Sequence, residues 1–426
     1  MQDSMHLLRE RRFLPLFVTQ FLGAFNDNLY KSAMVILVTY TVYNDATKEA
    51  SFNAIAGGLF ILPFFLFSAL AGQLADSMDK ARIVRFVKSA EIAIMVVGAI
   101  GLMIHNVPLM LAVLFAMGVH STFFGPIKYA ILPQHLRRDE VLGGTGLVEA
   151  GTYGAILLGT IAGGLLGTNH YHYAAAGVLG VAIIGRISGA MVPPAPPETD
   201  APAAKMDWHI IRASIRLVSA TLHIPRLFLA IASISFFWMM GAILAAQFPP
   251  LVKNVLHSNE QVATLFLAIF SVGVAVGSVL INRLLKGKVA ATYSPPAALA
   301  MGLFICHLYW NVINWPPPGP ELMDLETFIL MSRAEWIMFD LFGVAVSGGM
   351  FVVPLYAFLT TTVPKSETAR TVAANNIVNS GGMVLAAMVL TGLVMLGVSV
   401  AETLFFVAVM SIGAAWLGWK LHKACD

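Results

Sequence analysis

Charged side chains are scarce in this sequence. Asp, Glu, Lys and Arg together make up 12% of its 426 residues, about half the share usual in globular proteins, while apolar residues make up 58%. A water-soluble fold of this length would have to expose apolar patches far larger than soluble surfaces tolerate. The mean hydropathy of +0.78 therefore excludes a soluble fold, a disordered chain and a coiled coil, and it indicates a membrane protein.

Cysteine is nearly absent, and the basic residues are not gathered into one stripe. The two cysteines, Cys306 and Cys425, suggest neither a disulfide framework nor a zinc site. The net charge of +3 is too small to indicate a protein that binds nucleic acid. We therefore expect no metal, no cofactor and no nucleic-acid partner.

Apolar stretches long enough to cross a bilayer, about 20 residues each, recur along the chain. They predict an all-α membrane protein with twelve transmembrane helices, at 13–43, 53–75, 84–104, 108–132, 142–168, 171–192, 225–252, 261–285, 294–313, 333–361, 372–397 and 399–420. A polar break separates the sixth helix from the seventh, and its arginines lie on an amphipathic, interfacial stretch. The predicted organisation is a six-helix bundle over 1–192, a cytoplasmic linker with an interfacial helix over 193–224, and a second six-helix bundle over 225–426.

Lysine and arginine placement predicts the orientation, because cytoplasmic loops carry an excess of both. With a cytoplasmic N-terminus, 21 of the 26 basic residues fall on the cytoplasmic side, Lys88 among them. Three fall on the opposite side, and Lys31 and Lys128 fall within spans. Both termini are therefore predicted to be cytoplasmic.

Two segments that lie 205 residues apart resemble each other. Segments 72–82 and 277–288 both place a glycine near the cytoplasmic end of an even-numbered helix and follow it with a short basic loop. The second segment has Ile281 where Asp76 would recur, so the repeat is imperfect. Two related six-helix halves are typical of secondary transporters.

Several motifs resemble those of known families. Segment 72–82 resembles the G-x-x-x-D-(R/S)-x-G-(R/K)-(R/K) signature of the major facilitator superfamily, with Asp79 in place of the second glycine. In that signature Gly72 lets two helices approach closely, and Asp76 can face the N-terminus of a neighbouring helix. Four further motifs are similar to those of bacterial lysophospholipid transporters: FLGAFNDN at 21–28, PIKYAIL at 126–132, GLVEA at 146–150 and GMFVVPL at 349–355.

This resemblance implies two pseudo-symmetric halves that work by alternating access. It further implies a flippase that moves lysophospholipids, chiefly lysophosphatidylethanolamine, from the outer to the inner leaflet of a bacterial inner membrane, where they are re-acylated. None of the eleven histidines begins the His-x4-Asp acyltransferase signature, so the acyltransferase and acyl-carrier-protein synthetase are expected to be a separate partner. We expect a monomer without enzymatic activity.

Two other functions stay open at this point. One is a proton-coupled transporter of a small amphipathic solute or drug, with Asp27 or Glu149 as the proton site. The other is a membrane-embedded acyltransferase, which would need a histidine–acid pair at the interface.

The substrate-binding candidates begin with Asp27, near the middle of the first predicted helix. A carboxylate at that depth costs at least about 2.5 kcal/mol and so suggests a function. Lys31, one turn later, is either its internal partner or a contact for the phosphate of a zwitterionic head group. Asn28 belongs to the same motif, and Gln247 stands where lysophospholipid transporters carry an arginine suited to phosphate.

The remaining candidates lie on other helices. Asn375 and Asn379 share a face of the eleventh predicted helix, where amides bind substrate or join helices. His120 is expected to be a core histidine rather than a proton carrier. The predicted gating residues are Lys128, Glu149, Asp76 and Asp340.

Overall fold

The computed structural model describes residues 4–42, 46–167, 170–197, 206–317 and 321–425. Within these ranges the twelve predicted long helices are present. They are α1 Leu14–Leu37, α2 Ala46–Ser77, α3 Lys80–Met103, α4 Val107–Ala130, α5 Val141–Leu166, α6 Tyr171–Ala190, α7 Pro225–Pro250, α8 Glu260–Leu285, α9 Ser294–Ile313, α10 Ala334–Thr362, α11 Thr368–Met395 and α12 Val400–Cys425.

Helix α1 carries polar residues at its centre. The other eleven each contain a stretch long and apolar enough to cross a membrane. The centre of α1 instead carries three consecutive polar residues, Asn26, Asp27 and Asn28, with Lys31 one turn later. After Leu37 the helix continues as a π-helical turn over Val38–Val42, so the helical segment as a whole matches the predicted 13–43.

Asp79 starts α3, and its role explains the departure from the signature glycine. Its carboxylate accepts the backbone N–H of Ala81 at 2.9 Å and that of Ala195 at 3.0 Å. An aspartate in this N-cap position stabilises a helix because it satisfies an otherwise unpaired amide. The Asp79 side chain therefore holds the start of α3 to the backbone at Ala195, a contact that a glycine could not make.

The chain forms two compact units. The first contains Gln2–Thr221 and Leu359–Ile377, and the second contains Leu222–Phe358 and Val378–Asp426. The end of α10 and the first part of α11 thus belong to the first unit. Part of the predicted linker, 198–205, lies outside the described residues.

In the first unit, α1 packs against α5, α6 and the core of α3 and α4. The core contains Tyr30 and Met34 of α1, both fully buried. Glycines of α5 let the two backbones approach closely, since a Cβ at Gly163 would lie 2.6 Å from the carbonyl oxygen of Leu29. Small residues at helix contacts are the usual means of packing in a bilayer, where dispersion contacts replace the hydrophobic effect.

The linker contains a short amphipathic helix, Ile210–Leu222. Ala213 on one face is buried against Ala69 and Ile377, whereas Trp208, Ile211 and Ile215 are exposed. A helix that leaves large apolar residues exposed beside arginines has the pattern of an interfacial helix. Its location at the membrane surface stays a prediction.

In the second unit, α12 packs against α7 and α9. Gly302 of α9 lies so close to Ser411 of α12 that an added Cβ would overlap the serine hydroxyl. The second unit therefore uses the same small-residue packing as the first.

Candidate functional site

Asp27 is buried in the middle of α1, with 9% of its surface exposed. Its Oδ2 accepts a hydrogen bond from the Ser121 hydroxyl of α4 at 2.5 Å. Its Oδ1 is buried and has no hydrogen-bond partner among the described residues. Leaving a buried acceptor unsatisfied costs about 1–3 kcal/mol, so this oxygen is suited to an incoming donor.

Lys31 and Asp27 form no direct ion pair among the described residues, although their charges interact. The Lys31 Nζ lies 5.7 Å from the centre of the Phe60 ring. Asn28 is engaged as well, since its amide donates to the Ala24 carbonyl of the same helix at 2.8 Å. The Lys31 ammonium is therefore available to an anion, and one of the two amide hydrogens of Asn28 is already bound.

A network of charged and polar groups, of which the sequence analysis considered only His120 as a candidate, lies beside Asp27. Glu91 of α3 is fully buried and accepts from Lys88 Nζ at 2.5 Å and from the Asn26 amide at 2.8 Å. His120 Nε2 of α4 lies 3.3 Å from the same carboxylate. We call Asn26, Lys88, Glu91 and His120 the buried charge network.

Lys88, which the sequence analysis counted among the basic residues of the cytoplasmic side, is buried within α3. Helix α3 begins at Lys80 rather than at 84, so Lys88 lies more than two turns from the start of the helix. It is 0% exposed because its ammonium pairs with Glu91. The signal was available in the sequence: a lysine and a glutamate at (i, i+3) inside an apolar span are costly unless paired.

Lys128 and Glu149, the predicted inner gate, do not form a direct ion pair in this structure. Glu149 Oε1 accepts a hydrogen bond from the Tyr129 hydroxyl, and Lys128 Nζ lies 4.8 Å from the centre of the Tyr129 ring. Tyr129, which the sequence analysis did not select, therefore contacts both. A gating role for the two charges stays a prediction.

Asp76 makes the contact that the sequence predicts for it. Its carboxylate accepts the backbone N–H groups of Ala369 and Arg370 at 3.2 and 3.3 Å, and Arg370 Nε lies 3.2 Å away. These amides start α11, so Asp76 caps the positive end of that helix dipole. The glycine one turn earlier, Gly72, packs against Ala373 so closely that a Cβ would lie 2.7 Å from the alanine Cβ. The gating role itself stays a prediction.

A second group of ion pairs lies at the edge of the first unit that is predicted to be cytoplasmic. Glu140, just before α5, accepts from both Nη atoms of Arg12 at 2.7 and 2.8 Å and from the Arg137 side chain at 2.9 Å. Burial raises the pKa of the Glu140 carboxyl, but these hydrogen bonds outweigh it and hold the pKa at about 2. These ion pairs hold the segment before α1 against the start of α5.

Asp340 of α10 is 0% exposed. His307 Nδ1 lies 2.8 Å from its Oδ1, and the Asn311 amide donates to its Oδ2 at 3.2 Å. Both partners are on α9. A buried carboxylate that joins two helices is consistent with a gate, but its gating role is untested.

The predicted amide residues differ in their environments. Asn379 accepts from the Ser235 hydroxyl at 2.8 Å, so it joins α7 and α11. Asn375 is buried, and both its amide atoms lack a hydrogen-bond partner within the described ranges. Gln247 is 4% exposed in α7. The substrate-binding candidates therefore belong partly to the first unit and partly to the second.

The sequence matches a family of transporters over most of its length. Residues 16–387 match the model of the Major Facilitator Superfamily. A relative from Escherichia coli strain HS, named lysophospholipid transporter LplT, is 26% identical over 439 residues, which cover 99% of this chain and 100% of the relative. A protein of the same name from Pectobacterium carotovorum is 26% identical over 399 residues, covering 92% of this chain and 89% of the relative. The resemblance seen in the motifs is confirmed.

Solved structures agree on the fold. The human organic anion transporter MFSD10 (TETRAN) has a TM-score of 0.73 at 13% identity, covering 96% of this chain and 99% of that chain. A variant of the Escherichia coli fucose:proton symporter FucP has a TM-score of 0.72 at 11% identity, covering 96% and 98%. At these identities the likeness shows the fold alone, and the predicted twelve-helix fold is confirmed.

Proposed function

This chain belongs to the Major Facilitator Superfamily and is a multi-pass membrane transporter, and on that basis we propose that it carries lysophospholipids of the lysophosphatidylethanolamine type. Transport would proceed by alternating access, as is usual for this architecture. The relatives named lysophospholipid transporter that span nearly the whole chain support this substrate class over a small soluble solute.

The observation that carries the proposal is the free oxygen of Asp27. A carboxylate held at the middle of a membrane span, with one oxygen hydrogen-bonded and the other unpartnered, is expensive unless it binds something. An ammonium head group is a suitable partner, since it supplies both the missing hydrogen bond and the opposite charge.

The phosphate of the same lipid requires a cation in a low-dielectric site. Lys31 has no carboxylate within 4.0 Å among the described residues and lies one turn beyond Asp27, close enough for the two charges to interact. We therefore assign the ammonium to Asp27 and the phosphate to Lys31. One amide hydrogen of Asn28 is bound to the Ala24 carbonyl, which leaves the second for the lipid; Asn28 and Gln247 stay proposed donors.

The direction and setting follow from the same proposal. The lipid would move from the outer to the inner leaflet of a bacterial inner membrane and be re-acylated there by a separate acyltransferase and acyl-carrier-protein synthetase. The chain would act as a monomer and carry out no chemistry on its substrate.

The test compares two lysophospholipids in proteoliposomes, at matched expression of each variant. Lys31→Ala should weaken uptake of both lysophosphatidylethanolamine and lysophosphatidylglycerol, because both have the phosphate. Asp27→Asn should weaken lysophosphatidylethanolamine most, since lysophosphatidylglycerol lacks the ammonium. Equal losses of both lipids in Asp27→Asn would rule out this division of roles.

An uncoupler separates this function from the alternative one. Lipid moving down its gradient should still be taken up when the proton gradient is abolished. Uptake that stops would instead favour a proton-coupled transporter.

A further inference from the structure

Helix α12 has one packed face and one exposed face. On the packed face, Ser411 contacts Gly302 of α9. Gly418 lies one to two turns further along, where an added Cβ would be 3.4 Å from the Ser294 Cβ at the start of α9. The opposite face carries large apolar side chains that are 44–60% exposed and recur at the spacing of one helix face. We call these residues the α12 stripe: Phe405, Val409, Ile412, Trp416 and Trp419.

Two lysines extend the α12 stripe at its C-terminal end. Lys420 Nζ lies 3.8 Å from the centre of the Trp416 ring, and Lys423 Nζ lies 4.0 Å from the centre of the Trp419 ring. Side chains four residues apart are neighbours on a helix, and the face of tryptophan attracts an ammonium more strongly than other aromatic rings do. Both ammonium groups are therefore held over the stripe rather than at the last carbonyls of α12, which lysines near a helix end can otherwise bind.

The two ammonium groups still have charge and hydrogen-bonding capacity to offer. Each carries three hydrogens, and neither lies within 4.0 Å of a carboxylate in the ranges that the structure describes. The segment 403–425 contains no acidic residue. Because Lys420 and Lys423 are exposed, the end of the stripe presents two positive charges beside an apolar surface.

A phospholipid with a net negative charge matches both parts of this surface. Its acyl chains would lie against the apolar residues of a helix long and apolar enough to cross a membrane, and its phosphate would contact the two ammonium groups. A zwitterionic lipid brings an ammonium of its own, which the two lysines repel. A soluble phosphate or an acidic peptide would not use the apolar part of the surface.

We propose that the C-terminal end of the α12 stripe binds an anionic diacyl phospholipid of the surrounding bilayer, with its phosphate in contact with Lys420 and Lys423. The lipid belongs to the leaflet that is predicted to be cytoplasmic. It is a resident lipid rather than a transported one, so the inference does not depend on the proposed function. Each lysine beside anionic lipid contributes a preference of about fivefold, so the pair should favour the anionic lipid by about 10- to 30-fold.

The experiment identifies bound lipids by native mass spectrometry. The purified full-length protein is reconstituted in nanodiscs of equal parts phosphatidylglycerol and phosphatidylcholine and is then released together with the lipids that stay bound. The wild type should retain phosphatidylglycerol in preference to phosphatidylcholine, and the double variant Lys420→Gln/Lys423→Gln should lose most of that preference. A wild type without the preference, or a double variant that keeps it, would overturn the proposal.

The matched control removes the same charge at the same end of the second unit. Lys286 and Lys288 are exposed in the loop before α9, and neither is stacked on an aromatic ring among the described residues. The double variant Lys286→Gln/Lys288→Gln should therefore keep the wild-type preference. An equal loss in both double variants would mean that net charge alone attracts the lipid, and the site on α12 would be wrong.

A third double variant tests the part played by the tryptophans. Trp416→Leu/Trp419→Leu keeps both charges and an apolar surface but removes the rings that hold the ammonium groups. Its preference should fall between that of the wild type and that of the lysine variant, and an unchanged preference would overturn the placement of the phosphate beside the rings. Since no lysophospholipid is used, these results stand or fall separately from the proposed function.

Discussion

Removing one charge from the Lys88–Glu91 pair should destabilise the protein far more than removing both. The two side chains are 0% exposed and 2.5 Å apart. At that distance two unit charges attract by about 7 kcal/mol at an effective dielectric constant of about 20. Taking each ion out of water costs several kcal/mol, so the pair as a whole is close to neutral in stability, whereas one ion without the other is not.

The expected loss of stability in each variant depends on which partners the remaining charged group keeps. Glu91→Gln leaves the Lys88 ammonium buried without a carboxylate and should cost about 3–5 kcal/mol. Lys88→Met leaves Glu91 with the Asn26 amide and with His120 nearby, so its cost should lie near the lower end of that range. The double variant keeps an acceptor for Asn26 and removes both charges, so we expect a loss of less than about 2 kcal/mol.

The assay is reversible unfolding of the purified protein in mixed micelles by increasing SDS, followed by tryptophan fluorescence. The wild type, the two single variants and the double variant are measured in the same detergent. The difference between the double variant's loss of stability and the sum of the two single losses gives the coupling free energy between Lys88 and Glu91. Losses that simply add, or a Glu91→Gln loss below about 1 kcal/mol, would refute the reasoning, because either result means that water or another anion reaches the lysine.

Three further predictions concern the Glu140 ion pairs, the Asp76 cap and the orientation of the chain. The folded pKa of Glu140, about 2, is below its unfolded value of about 4.3. Its bonds to Arg12 therefore stabilise the fold fully above about pH 4.3, and this contribution is lost as the pH falls towards 2. The difference in melting temperature between wild type and Glu140→Gln should shrink in acid, and a constant difference would contradict this. Asp76→Ala should cost about 0.5–2 kcal/mol in the same unfolding assay by removing the cap of α11, whereas Arg370→Gln keeps the cap and should cost less; equal costs would assign the stability to the ion pair. Tags placed after Asp426 and in the 193–224 linker should both be protected in intact spheroplasts, and labelling of either from outside would reverse the predicted orientation.

Part of the candidate site could be found from the sequence because charges inside apolar spans are conspicuous. Asp27 and Lys31 stand out for that reason, and Asp76 stands out through its signature. Glu91 was not singled out, although it lies inside the predicted span 84–104, because Lys88 was counted on the cytoplasmic side and a pair between the two was not considered.

The sequence by itself determined that the protein lies in a membrane, how many long helices it has and which family it belongs to. Each depends on local properties: hydropathy over about 20 residues, and short motifs read in order. Which polar groups meet was decided only by the tertiary structure. The meeting of His120 with Glu91, and of Ser121 with Asp27, depends on how α1, α3 and α4 rotate against one another. That rotation is set by packing between small and large residues that lie far apart in the chain, and no local pattern encodes it.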